Sequence, residues 1–138
     1  MQNFKFQTNL AQADTIPADW YTDPAMLARE KKAVFNKSWQ FATSLDQLRF
    51  PGNFVAIDVV GTPVVVTRDA NGVLRAFYNV CRHRAGVVAR GAGNRKSLQC
   101  QYHGWLYGLD GCLRTTPEFE GVQNFRKEDF GLAPIRVE

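Results

Sequence analysis

Histidine and cysteine are scarce in this chain, with two of the former and three of the latter among 138 residues. So small and odd a cysteine count argues against the paired disulfide framework of a small secreted domain. No apolar run is long enough for a membrane span, and Met1 to Leu10 carry only scattered apolar side chains where a signal peptide needs a continuous stretch. A cytoplasmic location is therefore expected. Charge is not lopsided either: 17 Lys and Arg stand against 13 Asp and Glu, a net of +4. The basic residues are spread along the chain without a nucleic-acid-binding motif, so nucleic acid is not an expected partner. Internal repeats and low-complexity segments are also lacking. What remains is a 45% hydrophobic chain of ordinary single-domain size, able to bury a core.

The patterning predicts a mainly β fold with a helical preface. Asp23 is placed to cap, and Pro24 to open, a helix carrying Met26, Leu27, Val34 and Phe35 and ending near Trp39. Strand-like runs then alternate with turn signals: Asn53 to Val60 before Gly61, Pro63 to Thr67 before Asn71-Gly72, Val73 to Tyr78, Ser97 to Gln99, and Trp105 to Leu109 before Asp110-Gly111. Asn-Gly and Asp-Gly suit hairpins because these residues tolerate positive φ. The tail ends on Ile135 to Glu138, which reads as a last strand. The expected architecture is stacked antiparallel sheets, with residues 1–40 as a helical lead-in and 41–138 as the β domain.

Both histidines and two of the cysteines fall in two short motifs, Cys81-Arg82-His83 and Cys100-Gln101-Tyr102-His103. Each loop offers one thiol and one imidazole, so two loops can clamp a small metal core from opposite sides. In a [2Fe–2S] centre with mixed ligands, one iron keeps two thiolates and the other takes two imidazoles. Zinc is the rival, although structural zinc sites usually pair like ligands as C-x₂₋₄-C and H-x₃₋₅-H. Gly86, Gly91 and Gly93 between the motifs are expected to permit backbone turns that other residues resist. Tyr102, Trp105 and Tyr107 are expected as apolar bulk that excludes water, and Cys112 as a packing residue. Arg82, Arg84, Arg90, Arg95 and Lys96 are candidates for a basic docking face.

The runs Asn79 to Arg84, Cys100 to Trp105 and Tyr107 to Gly111 resemble the Rieske domain of the alpha subunit of a ring-hydroxylating (Rieske non-haem iron) oxygenase. Trp20 to Pro24, with Glu30 and Val34-Phe35 to Trp39, resembles the helical lead-in of those subunits, which small Rieske ferredoxins lack. Pro117 to Val122 is similar to the branch of choline, carnitine and glycine-betaine monooxygenases. Gln101 stands where the family usually has proline. High-potential Rieske proteins carry an extra cysteine in each loop and a serine after the second His-Gly; here Gly86, Tyr102 and Trp105 hold those places.

The resemblance implies the Rieske iron–sulfur fold, with the ligand loops at one tip. It implies a [2Fe–2S] cluster on Cys81, His83, Cys100 and His103, at the low end of a potential range of roughly −150 to +300 mV. Its electrons would come from a reductase or ferredoxin. They would pass to a mononuclear non-haem iron, in a catalytic domain of the same or a neighbouring alpha subunit of a homotrimer, for hydroxylation or oxidative demethylation. Such an iron needs two histidines and a carboxylate, and both histidines here lie in the motifs. The catalytic domain is therefore expected to be absent from this chain, which should hold no catalytic residue. A free-standing Rieske electron carrier is the alternative.

Overall fold

The computed structural model describes residues 4–138, which form two compact units, one up to Gln40 and one spanning Phe41–Glu138. In the first, helix α1 runs Pro24–Ala33, with the Asp23 side chain accepting from the Ala25 N–H at 2.8 Å. This is the predicted cap, and Pro24 starts the helix where a missing N–H costs nothing. The helix stops at Ala33, short of the predicted end near Trp39, and the chain tightens into a 3-10 turn over Phe35–Lys37. Val34, Asn36 and Ser38 are weak helix residues, and the Ser38 hydroxyl donates to the Val34 carbonyl at 2.8 Å instead. Of the predicted apolar stripe Met26 is buried, while Leu27 and Val34 are exposed.

The second unit is antiparallel β. Its strands are β1 (Asn53–Val59), β2 (Thr62–Arg68), β3 (Leu74–Tyr78), β4 (Ala92–Asn94), β5 (Ser97–Gln99), β6 (Leu106–Gly108), β7 (Leu113–Thr115) and β8 (Pro134–Ile135). They form a five-stranded sheet in the order β4-β1-β2-β3-β8 and a three-stranded sheet in the order β5-β6-β7. Central strand β2 is buried continuously from Val64 to Thr67 because the larger sheet is covered on both faces. Val65 points into a core with Phe54, Phe77, Leu98, Trp105 and Tyr107, while Val64 and Val66 join Leu48, Val55 and Ala76 on the other side. An unbroken apolar run is what such a strand requires. The Thr67 hydroxyl donates to the Leu109 carbonyl at 2.7 Å, tying β2 to the end of the β6 hairpin arm.

Two turns show how the register is set. Between the paired Val59 and Thr62, Val60 and Gly61 have φ of 53° and 86°, the geometry that matches hairpin twist. Glycine adopts it freely, whereas β-branched Val60 is strained there. At the β2–β3 turn the buried Asp69 carboxylate accepts from the N–H groups of Asn71 (2.9 Å) and Val73 (2.8 Å) and from Arg75 Nε (2.7 Å). Burial alone would raise its pKa, but these hydrogen bonds outweigh it and hold the carboxyl below its ordinary value.

Several expectations need correction. β4 and β7 were not foreseen, and the last strand is only Pro134–Ile135, paired with β3. Of the three glycines between the motifs, only Gly91 has positive φ, at 65°. Gly86 and Gly93 are instead places of close approach, where an added Cβ would lie 3.0 Å from Cys100 Sγ and 3.4 Å from the Phe54 ring. Cys112 is exposed rather than packed, since it follows the Asp110-Gly111 turn on the outer side. No helix among the described residues is long and apolar enough to cross a membrane.

Candidate metal centre

Cys81 follows β3, and Cys100 lies between β5 and β6. The two cysteines open loops with the same backbone wiring. In the first, the Cys81 N–H donates to the Gly86 carbonyl (2.8 Å) and the Ala85 N–H to the Cys81 carbonyl (3.0 Å). In the second, the Cys100 N–H donates to the Trp105 carbonyl (2.9 Å) and the Gly104 N–H to the Cys100 carbonyl (3.0 Å). Ala85 and Gly104, at equivalent places, both take positive φ, 56° and 72°. On this shared frame His83 matches Tyr102, and His103 matches Arg84. The unequal spacing, C-x-H against C-x-x-H, thus offsets the two imidazoles by one position on twin hairpins. The rings meet with centroids 4.6 Å apart and planes at 62°.

Both thiols are buried. Gly86 lets the first loop reach the second cysteine, because any side chain there would press on Cys100 Sγ. Cys81 Sγ lies 3.3 Å from the hydroxyl of fully buried Tyr107, and that oxygen accepts from the Arg82 N–H at 3.0 Å. Burial pushes the Cys81 thiol up, as does neighbouring Cys100, against hydrogen bonds from Tyr107 and the His83 backbone that favour the thiolate. Burial also pushes the Tyr107 hydroxyl far up, so it stays protonated. His83 is pushed down by burial first, then by His103 and Arg84, and is a neutral imidazole at neutral pH. Asn79, also buried, braces the first loop by accepting from the N–H groups of Val88 (3.1 Å) and Ala89 (2.9 Å) and donating to the Ala89 carbonyl (2.8 Å).

The expected aromatic bulk divides into three roles. Trp105, 1% exposed, stacks flat on His83 at 4.8 Å and 7°. Phe119 meets both rings edge-on, and Phe125 and Phe130 pack behind Trp105. Tyr107 does more than fill space, since its hydroxyl reaches the cysteine. Tyr102 corrects the packing expectation: it is 64% exposed and lies over His103 at 3.8 Å. The sequence pattern assigns Asn79 no role and does not reveal the Tyr107 hydroxyl contact, which links residues far apart in the chain. Arg82, Arg84, Arg90, Arg95 and Lys96 are all exposed.

The arrangement suits a two-iron group. His83 Nδ1 is buried and has no hydrogen-bond partner, as expected of a nitrogen kept for a metal. Among the described residues, no three His, Cys, Asp or Glu side chains gather as ligands of one ion. The donors come instead as a buried pair of thiols and a touching pair of imidazoles, the two-and-two division that a mixed-ligand [2Fe–2S] centre uses.

Stacked antiparallel sheets with twin Cys/His hairpins define a Rieske-type iron–sulfur domain. Residues 38–126 match the family model for the Rieske [2Fe-2S] domain, and the chain belongs to that family. It is 38% identical over 91% of its length to the chloroplastic choline monooxygenase of Spinacia oleracea, covering 28% of that protein. It is 39% identical over 96% of its length to the carnitine monooxygenase oxygenase subunit of Escherichia coli (strain K12), covering 36% of it. The apo crystal structure of a quaternary ammonium Rieske monooxygenase superposes with a TM-score of 0.84 at 36% identity, over 90% of this chain and 36% of that one. The chain therefore spans about a third of the length of these relatives and corresponds to their Rieske part.

Proposed function

We propose that this chain is the electron-transfer domain of a Rieske oxygenase alpha subunit, with Cys81 and Cys100 holding one iron and His83 and His103 the other. When bound, the [2Fe–2S] group supplies a one-electron redox couple. The observation that carries the assignment is the pairing of buried thiols with adjoining imidazoles on twin hairpins. Tyr107 donates its hydroxyl proton to Cys81 sulfur, which as a thiolate can only accept. Trp105 and Phe119 keep water from His83, while Tyr102 and half-buried His103 form the edge turned toward a partner. Residues up to Gln40 act as the helical lead-in and Phe41–Glu138 as the cluster domain.

Electrons arrive from a reductase or ferredoxin, steered by the exposed basic residues around the first loop. They leave for a mononuclear iron in a catalytic domain of the same or a neighbouring subunit of a homotrimer. Both histidines of residues 1–138 sit on the loops, so a two-histidine, one-carboxylate iron site would draw its histidines from residues outside this stretch. The lead-in favours an oxygenase over a free-standing carrier, because the monooxygenase matches extend over nearly all of this chain. Those matches favour oxidation of quaternary ammonium compounds by the whole protein. Unpaired buried thiols and an exposed Cys112 fit a reducing compartment such as the cytoplasm, while the plant relatives are chloroplastic by name. The test is metal analysis of anaerobically purified protein. Two irons and two acid-labile sulfides per chain are expected, with a low average g-value on reduction; one zinc per chain in a colourless sample refutes the assignment.

A further inference from the structure

Three buried side-chain nitrogens among the described residues lack a hydrogen-bond partner: Trp20 Nε1 in the N-terminal unit, and His83 Nδ1 and Trp105 Nε1 at the ligand loops. A buried donor left unsatisfied costs about 1–3 kcal/mol, so native proteins seldom retain one without a partner outside the polypeptide. The two at the loops belong to rings stacked face to face, 4.8 Å apart and 7° from parallel. Trp105 is also bonded into the site through its backbone, where its carbonyl accepts the Cys100 N–H at 2.9 Å. Its ring thus packs against one loop while its backbone closes the other. Phe119, Phe125 and Phe130 surround the indole with carbon and offer it no acceptor.

We propose that the Trp105 indole N–H is a hydrogen-bond donor to an iron-bound sulfur of the [2Fe–2S] group, so that Trp105 sets the reduction potential as well as packing His83. The inference rests on the cluster assignment above. His83 Nδ1 and Trp105 Nε1 then lack a partner within the polypeptide for one reason: the partner of each belongs to the same cluster, iron for the imidazole and sulfur for the indole. Hydrogen bonds to cluster sulfur stabilise the more negative reduced state and raise the potential. The chain has no serine after its second His-Gly, and Trp105, which occupies that place, supplies an N–H in its stead.

The experiment is site-specific replacement of Trp105 in the cluster-loaded protein by 3-benzothienylalanine, which keeps the bicyclic shape and puts sulfur where the N–H was. The readouts are the reduction potential by voltammetry and the exchangeable-proton hyperfine couplings of the reduced cluster in H₂O against D₂O. A lower potential and the loss of one exchangeable coupling, with iron and sulfide content unchanged, are the expected results. A full cluster with the original potential and couplings overturns the proposal. A second arm, a ring-fluorinated tryptophan at the same position, makes the N–H more acidic without changing the packing and must raise the potential; no rise overturns the proposal even if the first variant fails to load. Iron and sulfide analysis of the unsubstituted protein separates this failure from failure of the cluster assignment itself.

Discussion

The two ligand loops share one backbone and differ in almost everything laid upon it. The first carries His83 under a lid of Trp105 and Phe119, spends an alanine on its left-handed position, and has its cysteine bonded by Tyr107. The second carries His103 beneath an exposed tyrosine and has glycine at the left-handed position. The difference teaches that ligand geometry and environment are separable here. Hairpin wiring aims the donors, and the side chains beside them decide which rings cover each imidazole: Trp105 and Phe119 at His83, Tyr102 at His103.

The largest effect comes from removing a donor. Cys81→Ser and Cys100→Ser should each abolish cluster absorption, because a serine hydroxyl is a poor substitute for a thiolate at a soft site. Equal loss confirms that the loops contribute as a pair; retention of colour in either variant breaks the symmetry. Next is Gly86→Ala, whose new Cβ lies 3.0 Å from Cys100 Sγ. A sulfur fixed on iron cannot yield, so cluster occupancy should fall severalfold, while the metal-free chain, whose thiol can shift, loses only about 1 kcal/mol of thermal stability. Gly104→Ala, by contrast, should destabilise both forms by roughly 1–2 kcal/mol, because it places a Cβ at positive φ against Pro117. Calorimetry with and without cluster distinguishes the two outcomes.

Acidity sharpens the comparison differently. Burial holds the Cys81 proton to higher pH than usual and keeps His83 neutral to lower pH than usual. Metal uptake must displace the Cys81 thiol proton but no His83 proton at neutral pH. Affinity for a probe ion such as Co²⁺ should therefore rise with pH across the neutral range, by about tenfold per unit for each thiol proton released. An affinity independent of pH shows that the Cys81 thiol is already ionised. The smallest effect expected is from Val60→Asn, which lies in the β1–β2 turn and outside both loops. Replacing a strained β-branched residue at φ 53° should stabilise the fold by about 1 kcal/mol in urea titration and leave the cluster spectrum unchanged.

Much of this arrangement was legible in the sequence. β1, β2 and β3 announce themselves through apolar runs punctuated by Gly61 and Asn71-Gly72, and the two Cys/His motifs stand out by their spacing. β4 was not legible, because Ala92-Gly93-Asn94 has no apolar alternation and pairs only at the sheet edge with β1. β7 is short and irregular in register against β6, too brief for a periodic signal. Asn79 carries no role in the sequence and Tyr107 only a packing one for another reason: their contacts exist only once β3 and β6 converge on the first loop. Spacing marks which residues form a motif; it does not reveal which neighbours hold them in place.

The central claim is that both imidazoles, one from each loop, ligate the cluster. Since the chain contains two histidines, uniform ¹⁵N-histidine labelling marks these positions and no others. Electron–nuclear double resonance of the reduced protein should then show two distinct, strongly coupled ¹⁵N nuclei, both absent from unlabelled protein. A spectrum with one coupled nitrogen, or none, contradicts the account.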